Sequence, residues 1–186
     1  QLDWRYGKGH LVVTGDVFDR GPEVTEALWQ LYRLEQQAAA AGGRVHLLLG
    51  NHEFMALAGD LRYVHPHYLE VAKRLDRPYP ELFGKDTVLG QWLRSKPVLR
   101  RIGDVLYLHG GISPTVAELG MEPAAINAQL GALLGRPKAE LKSEPLAALL
   151  AGRDGPLWYR GYFDNAALNQ AQGEARENPE AVAAGS

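Results

Sequence analysis

Two short motifs constrain this chain more than any other feature, because each joins a strand ending to a cluster of polar side chains. The first, Gly-Asp-Val-Phe-Asp-Arg-Gly, spans residues 15–21, and the second, Gly-Asn-His-Glu, spans residues 50–53. Each follows an aliphatic run and precedes a segment with a helical pattern. A strand that stops at a glycine and then presents polar groups is typical of the carboxyl edge of an α/β sheet. A third aliphatic run ends in the same way, at His109-Gly110-Gly111.

The rest of the pattern predicts one α/β domain over residues 1–186. Strands are predicted at 11–14 and 44–49, and the helix predicted between them at 22–41 makes the two strands parallel neighbours. A hairpin is predicted around Gly103-Asp104. The other predicted elements are hairpin strands at 98–102 and 105–108, an irregular helical segment with prolines at 54–90, small surface helices at 123–134 and 144–151, an aromatic loop or strand at 155–163, and a weak helix after it.

Composition excludes several classes of function. The 186 residues are 46% hydrophobic and 23% charged, which is ordinary for a soluble globular protein. A net charge of −2 gives no overall positive field that would attract nucleic acid. No apolar run is long enough to cross a bilayer. The absence of cysteine excludes disulfides, thiolate metal sites and a cysteine nucleophile.

Three of the polar residues at strand ends have the chemistry of metal ligands. Asp16 offers a carboxylate that can bridge two cations, Asn51 a side-chain oxygen, and His109 an imidazole nitrogen. The amide nitrogen of Asn51 would remain free to donate to a bound anion. These residues indicate a dinuclear metal site, which can clamp a phosphoryl group.

Four further residues complete this hypothesis. Arg20 carries a planar fork of donors that suits phosphate, and Arg160 offers a second guanidinium against developing negative charge. A carboxylate at Asp19 can fix the tautomer of His52 and favour its protonated form. A protonated His52 could then donate a proton to a leaving oxygen.

Other residues have a structural and a functional interpretation at this point. Glu53 either serves as a functional group behind the site or only favours the start of a helix. Surface positions are the better interpretation of His65 and His67, although contact with substrate at the rim stays open. Structural roles are expected for His10 and His46, and an exposed strand face or charge pair for Arg100 and Arg101.

The motifs together resemble those of the calcineurin-like metallophosphoesterases, in their phosphoprotein phosphatase branch. The additional runs Ser95–Val98, His109–Pro114 and Trp158–Tyr162 are most similar to those of bacterial Shewanella-like protein phosphatases. The resemblance spans Val12 to Phe163. It implies an α/β fold, a two-layer β-sandwich flanked by helices, with two divalent ions, usually manganese, iron or zinc.

The resemblance implies the same roles for these seven residues. Asp16, Asn51 and His109 would bind metal, and His52, oriented by Asp19, would be the general acid. Arg20 and Arg160, with Asn51, would bind the substrate. The implied reaction is direct attack by a metal-bound hydroxide on a phosphomonoester.

The chain departs from the family pattern in two places. A Gly-Asp-x-His-Gly motif, expected before Leu11, and a histidine expected well beyond Phe163 are both absent. We therefore expect a fold truncated at both ends that lacks ligands for the first metal. The 186-residue polypeptide alone is expected to be inactive or very weak toward para-nitrophenyl phosphate with Mn²⁺, and its full-length parent active.

The leading hypothesis is a phosphoprotein phosphatase whose partner is a phosphorylated protein or peptide, with no nucleic acid and no membrane span. A small-molecule phosphoesterase such as a dinucleoside polyphosphate hydrolase is an alternative, although that branch usually carries asparagine where Asp19 stands. A non-catalytic phosphate-binding or scaffold protein is another. Either the cytoplasm or the periplasm of a bacterium would suit this resemblance.

Overall fold

Two pairs of strands surrounded by helices form the part of the chain that the computed structural model describes, residues 2–162. Strands β1 (His10–Val13) and β2 (Arg44–Leu47) pair in parallel, residue for residue. Strands β3 (Leu99–Ile102) and β4 (Val105–Leu108) form an antiparallel hairpin. The predicted parallel pair and hairpin are both confirmed.

Helices contain far more of the described residues than strands do. In chain order they are α1 (Val24–Ala40), α2 (Asn51–Leu57), α3 (Pro66–Arg74), a 3₁₀ helix (Tyr79–Phe83), α4 (Val88–Arg94), α5 (Pro114–Glu118), α6 (Pro123–Leu133), α7 (Lys138–Leu141) and α8 (Pro145–Leu150). Helix α1 confirms the helix predicted at 22–41. It buries one apolar stripe, which includes Leu28 and Ala38, and it is followed by Gly42 with a positive φ of 76°.

The residues after β2 continue its backbone pairing and so hold neighbouring segments beside them. After β2, the Leu48 amide donates to the Val13 carbonyl (2.8 Å) and the Leu49 amide to the Pro97 carbonyl (3.0 Å). Leu48 and Leu49 are fully buried, at 0% and 1% exposure. The loops after β1 and before α2 therefore start side by side on a rigid, apolar base.

The helices predicted at 123–134 and 144–151 form, and each packs an apolar face into the core while its other residues are exposed or partly exposed. Leu130 of α6 and Leu150 of α8 are completely buried in the main core. The Asn127 side chain also binds the start of β3, because its Oδ1 accepts from the Val98 and Leu99 amides at 2.8 and 2.9 Å. The alanines of α6, at positions 124, 125, 128 and 132, are exposed, in agreement with the predicted surface position.

The remaining predictions concern segments without regular strands. The region 54–90 contains the end of α2, α3, the 3₁₀ helix and the start of α4, as its irregular helical pattern indicated. Residues 155–162 form turns, so the aromatic loop is confirmed there. Phe163 and the weak helix predicted after it lie outside the described residues. Among residues 2–162, no helix has the length and apolar character needed to span a membrane.

Candidate functional site

Two glycines bring the first two polar motifs into contact. Gly15 has a φ of 99° and Asp16 a φ of 61°, so the chain turns sharply after β1. A Cβ on Gly15 would collide with the backbone of Gly50, and a Cβ on Gly50 would collide with the Asp16 carboxylate. Both positions therefore need glycine for the two loops to pack this closely.

The Asp16 carboxylate lies at the centre of the cluster. Its Oδ1 accepts a hydrogen bond from the His52 amide (3.2 Å). Its Oδ2 lies 3.2 Å from His109 Nε2 and 3.9 Å from His52 Nε2. Asp16 thus joins the three predicted strand-end segments, as the sequence indicated.

The hydrogen bonds of His109 fix its tautomer. Nδ1 lies 2.8 Å from the Thr14 carbonyl, which can only accept, so Nδ1 carries the proton. Nε2 then has a free lone pair, and it accepts from Arg160 Nη2 at 3.1 Å. A ring nitrogen prepared in this way is the form of histidine that binds metals.

His52 is buried at the start of α2 and faces two carboxylates. Its Nδ1 lies 3.4 Å from Asp19 Oδ1, and its ring lies 4.8 Å from the ring of Tyr63. Asp19 therefore holds one ring nitrogen, and Nε2 faces the side of Asp16. This confirms the predicted proximity of Asp19 and His52.

Arg20 extends from the same loop. Its Nη1 lies 2.5 Å from both oxygens of Asp19, and 63% of its side chain is exposed. The guanidinium carbon lies 4.4 Å from the centroid of the Tyr63 ring. Arg20 is thus accessible to an anion while its head group is held on two sides.

Arg160 reaches the cluster from the turns at 155–162. The Gly110 amide donates to the Pro156 carbonyl (2.8 Å), and the Tyr162 hydroxyl donates to the Ile112 carbonyl (2.8 Å). These two bonds fasten the aromatic loop to the segment after β4. Arg160 is therefore delivered next to His109, with which it shares the hydrogen bond described above.

Glu53 connects the two loops. Its side chain is 1% exposed, and its carboxylate accepts from the amides of Gly50 (2.6 Å), Asp16 (2.9 Å) and Phe18 (3.2 Å). Burial raises the pKa of the Glu53 carboxyl, and the three backbone donors act in the opposite direction. The bond to Gly50 is the interaction by which a glutamate at this position stabilises the start of a helix. The bonds to Asp16 and Phe18 were not predicted from the sequence.

Asn51 lies between Gly50 and His52, and it is 5% exposed. Its amide nitrogen lies 3.9 Å from Met55 Sδ. The nitrogen that was expected to donate to an anion thus faces a sulfur atom here. The role of Asn51 as a metal ligand stays a prediction.

The donor set fits a divalent cation. Asp16, Asp19 and His52 each place one ligand atom within 4.8 Å of the others. The Asp16 and His109 donors are 3.2 Å apart, close to the ~3 Å that separates two ligands of one ion when each is about 2 Å from it. Arg160 Nη2 lies 3.1 Å from His109 Nε2, so the lone pair of this nitrogen faces the open side of the cluster.

The sequence profile of the calcineurin-like phosphoesterases matches residues 5–169. The chain belongs to this family. A crystal structure of a cold-active protein-tyrosine phosphatase from a psychrophilic Shewanella species is 50% identical with a TM-score of 0.86, over 88% of this chain and 50% of that chain.

Two curated relatives are similar in sequence. Shewanella-like protein phosphatase 1 of Plasmodium berghei is 28% identical over 80% of this chain and 41% of its own length. The symmetrical bis(5'-nucleosyl)-tetraphosphatase of Neisseria meningitidis is 32% identical over 61% of this chain and 37% of its own length. The chain spans half the length or less of each of these three proteins.

Proposed function

We propose that this chain carries part of the active site of a metal-dependent phosphomonoesterase that acts on phosphorylated proteins. The observation that carries the proposal is the convergence of Asp16, His109, the Asp19–His52 pair and two arginines at one end of the strands. Carboxylate and imidazole donors beside guanidinium groups suit a divalent cation and a phosphate together.

We assign phosphate binding to Arg20 and Arg160. A guanidinium has five N–H donors, so Arg20 can keep its contact with Asp19 through Nη1 and donate to phosphate oxygens through the others. Arg160 would approach from the opposite loop and add a second positive charge. Both side chains stabilise the charge that accumulates on the phosphoryl oxygens in the transition state.

We assign proton transfer to His52. Its Nδ1 lies 3.4 Å from Asp19 Oδ1, and Nε2 is the nitrogen proposed to donate a proton to the leaving oxygen of the ester. Glu53 fixes the distance between the loops that carry these groups. The low exposure of His52, at 8%, keeps bulk water from competing for its proton.

Asp16 and His109 would hold the cation, with Asn51 as the third proposed ligand. When bound, a divalent ion such as Mn²⁺, Fe²⁺ or Zn²⁺ polarises the phosphoryl group and lowers the pKa of water. We propose two such ions in the complete protein, because the family usually has two, with the ligands of the other ion supplied from outside this chain. The role of the described residues is to keep their donor atoms aligned before the cation binds.

The tyrosine phosphatase from Shewanella supports phosphotyrosine as the preferred phosphoresidue. The tetraphosphatase relative makes dinucleoside polyphosphates the second candidate class of substrate. Asp19 favours the protein phosphatase side, because the polyphosphate hydrolases usually carry asparagine at this position.

The test uses the protein encoded by the complete open reading frame, assayed beside the 186-residue chain. We expect the complete protein to hydrolyse para-nitrophenyl phosphate with added Mn²⁺, and a phosphotyrosine peptide faster than its phosphoserine counterpart. Faster hydrolysis of diadenosine tetraphosphate would favour the second candidate. If elemental analysis finds no stoichiometric metal and no ester is hydrolysed, the protein is a scaffold and the proposal is wrong.

The role of His52 is tested by His52→Asn in the complete protein. We expect kcat for para-nitrophenyl phosphate to fall by ~10² to 10⁴, because the general acid is removed. The matched control is His67→Asn on the exposed side of α3, for which we expect wild-type kcat. Equal rates for the two variants would exclude His52 as the proton donor.

A further inference from the structure

Tyr63, in the loop after α2, contacts Arg20 through both its backbone and its ring. We propose that Tyr63 is the residue that positions the Arg20 guanidinium for phosphate. The inference rests on the proposed function of Arg20, and it adds a positioning group that neither motif contains. Tyr63 lies 43 positions after Arg20 in the sequence, so only the fold brings the two together.

The backbone contact supports an unusual conformation. Arg20 has a φ of 55°, in the left-handed region of backbone conformation that residues other than glycine rarely adopt. Its amide donates to the Tyr63 carbonyl at 3.0 Å. A residue in this region persists only when its surroundings hold it, and the Tyr63 carbonyl supplies one such restraint.

The loop that presents Tyr63 is itself well held. Arg62 binds Asp60 with two parallel hydrogen bonds, of 2.8 and 2.7 Å, and the Val64 amide donates to the Leu61 carbonyl at 3.1 Å. The Arg62 guanidinium carbon is also 5.7 Å from the Tyr63 ring centroid. The tyrosine thus lies in a loop with contacts of its own, and its ring faces the guanidinium groups of Arg20 and Arg62.

The ring contact restrains the arginine head group. The Arg20 guanidinium lies 4.4 Å from the ring centroid, within cation–π distance, and Asp19 holds Nη1 at 2.5 Å. A long, largely exposed side chain normally loses rotamer freedom when it binds an anion. Because the ring and Asp19 already restrict Arg20, less entropy remains to be lost on phosphate binding.

The same ring lies 4.8 Å from the ring of His52, so a second route from Tyr63 to the reaction exists. The two routes predict different kinetics. Loss of restraint on Arg20 weakens phosphate binding, whereas displacement of His52 lowers kcat. The geometry points to Arg20, because two separate contacts, one from the backbone and one from the ring, join it to Tyr63.

The experiment replaces the ring by Tyr63→Leu in the complete protein. We expect KM for para-nitrophenyl phosphate, and the inhibition constant of inorganic phosphate, to rise about two- to fivefold, with kcat nearly unchanged. Tyr63→Phe keeps the aromatic ring, so its KM, phosphate inhibition constant and kcat should equal those of the wild type. Tyr63→Met is the second variant if circular dichroism shows that the leucine variant does not fold.

A double-mutant cycle with Arg20→Ala identifies the route. If Tyr63 acts through Arg20, adding Tyr63→Leu to Arg20→Ala should change the phosphate affinity no further. The inference is overturned if Tyr63→Leu leaves the phosphate affinity unchanged. It is also overturned if Tyr63→Leu lowers the phosphate affinity equally in the wild-type and the Arg20→Ala background. A fall in kcat alone would overturn it as well, since it would indicate the route through His52.

Calorimetric titration with inorganic phosphate separates this inference from the proposed function. A wild-type protein that binds phosphate without hydrolysing any ester would refute the proposed function, and the same cycle, measured as binding constants, would still decide the role of Tyr63. A wild-type protein that binds no phosphate would refute both.

Discussion

At the scale of single residues, Glu53 shows how one buried carboxylate can organise a site. It connects amides that lie three, 35 and 37 positions away in the sequence. All three partners are N–H donors, so the side chain must present acceptors on both oxygens. A glutamine has the same shape but carries an NH₂ group in place of one acceptor.

We therefore predict that Glu53→Gln lowers the free energy of unfolding by roughly 2–3 kcal/mol, because a donor would face donors in a buried position. Urea denaturation measures the difference. The control is Glu118→Gln at the exposed end of α5, which should stay within ~0.5 kcal/mol of the wild type. Equal stability of the two variants would mean that the Glu53 carboxylate does not hold the loops.

Much of the site could be predicted from the sequence, and the part that could not has a common cause. The proximity of Asp16 and His109 follows from their positions after strands, which the motifs reveal. The contacts of Glu53 with Asp16 and of Tyr63 with Arg20 depend on the packing of two loops against each other. Local patterns do not encode such an approach, although the glycines at 15 and 50 mark where it occurs.

At the scale of elements, α3 and the 3₁₀ helix each place a buried tyrosine beside α1, but their hydroxyls differ. The Tyr68 hydroxyl lies 2.8 Å from the Pro22 carbonyl and 2.9 Å from Glu26 Oε2, and it accepts from the Thr25 amide. The Tyr79 hydroxyl has no hydrogen-bond partner among the described residues. Burial raises the pKa of Tyr79, so its hydroxyl keeps its proton over the physiological range.

Removal of the Tyr79 hydroxyl and removal of the Tyr68 hydroxyl should therefore have opposite effects on the stability of the fold. We predict that Tyr79→Phe raises the free energy of unfolding by about 1 kcal/mol, because a buried unsatisfied group is lost. Tyr68→Phe should lower it by about 1 kcal/mol, because its hydrogen bonds join α3 to the start of α1. Thermal and urea unfolding compare the pair directly. Destabilisation by both changes would show that the Tyr79 hydroxyl has a partner in solution.

Element positions were easier to predict than element environments. Periodicity and turn residues located the strands, the long helix and the hairpin to within a few residues. Helices α6 and α8 were located as surface helices, but the contacts of their leucines with the core were not predicted. Ile126, Leu130 and Leu133 follow helical spacing, so an apolar face was present in the sequence, but the surrounding alanines suggested a surface position.

At the scale of the whole molecule, the parallel strands carry a histidine pair that is separate from the candidate site. The residues proposed to bind metal and phosphate follow the carboxyl ends of the strands, whereas the pair consists of His10, the first residue of β1, and His46, the third residue of β2. His46 is 9% exposed, and its Nε2 lies 3.2 Å from His10 Nδ1. Burial lowers the pKa of His46 from 6.5, and Arg100, His10 and Arg44 lower it further, whereas Glu35 acts in the opposite direction.

This lowered pKa predicts how the stability of the whole domain depends on pH. The unfolded chain takes up a proton at His46 near its ordinary pKa of 6.5, and the folded chain does so only at lower pH. The contribution of His46 to stability is therefore complete above pH 6.5 and is lost as the pH falls below that value. We expect His46→Gln to reduce the fall in unfolding free energy between pH 7.5 and 5.5, measured by urea denaturation at each pH. The exposed His67→Gln should leave the pH dependence as it is in the wild type. If the unfolding free energy of the His46 and His67 variants falls equally between pH 7.5 and 5.5, burial of a neutral His46 does not contribute to the acid sensitivity of the fold.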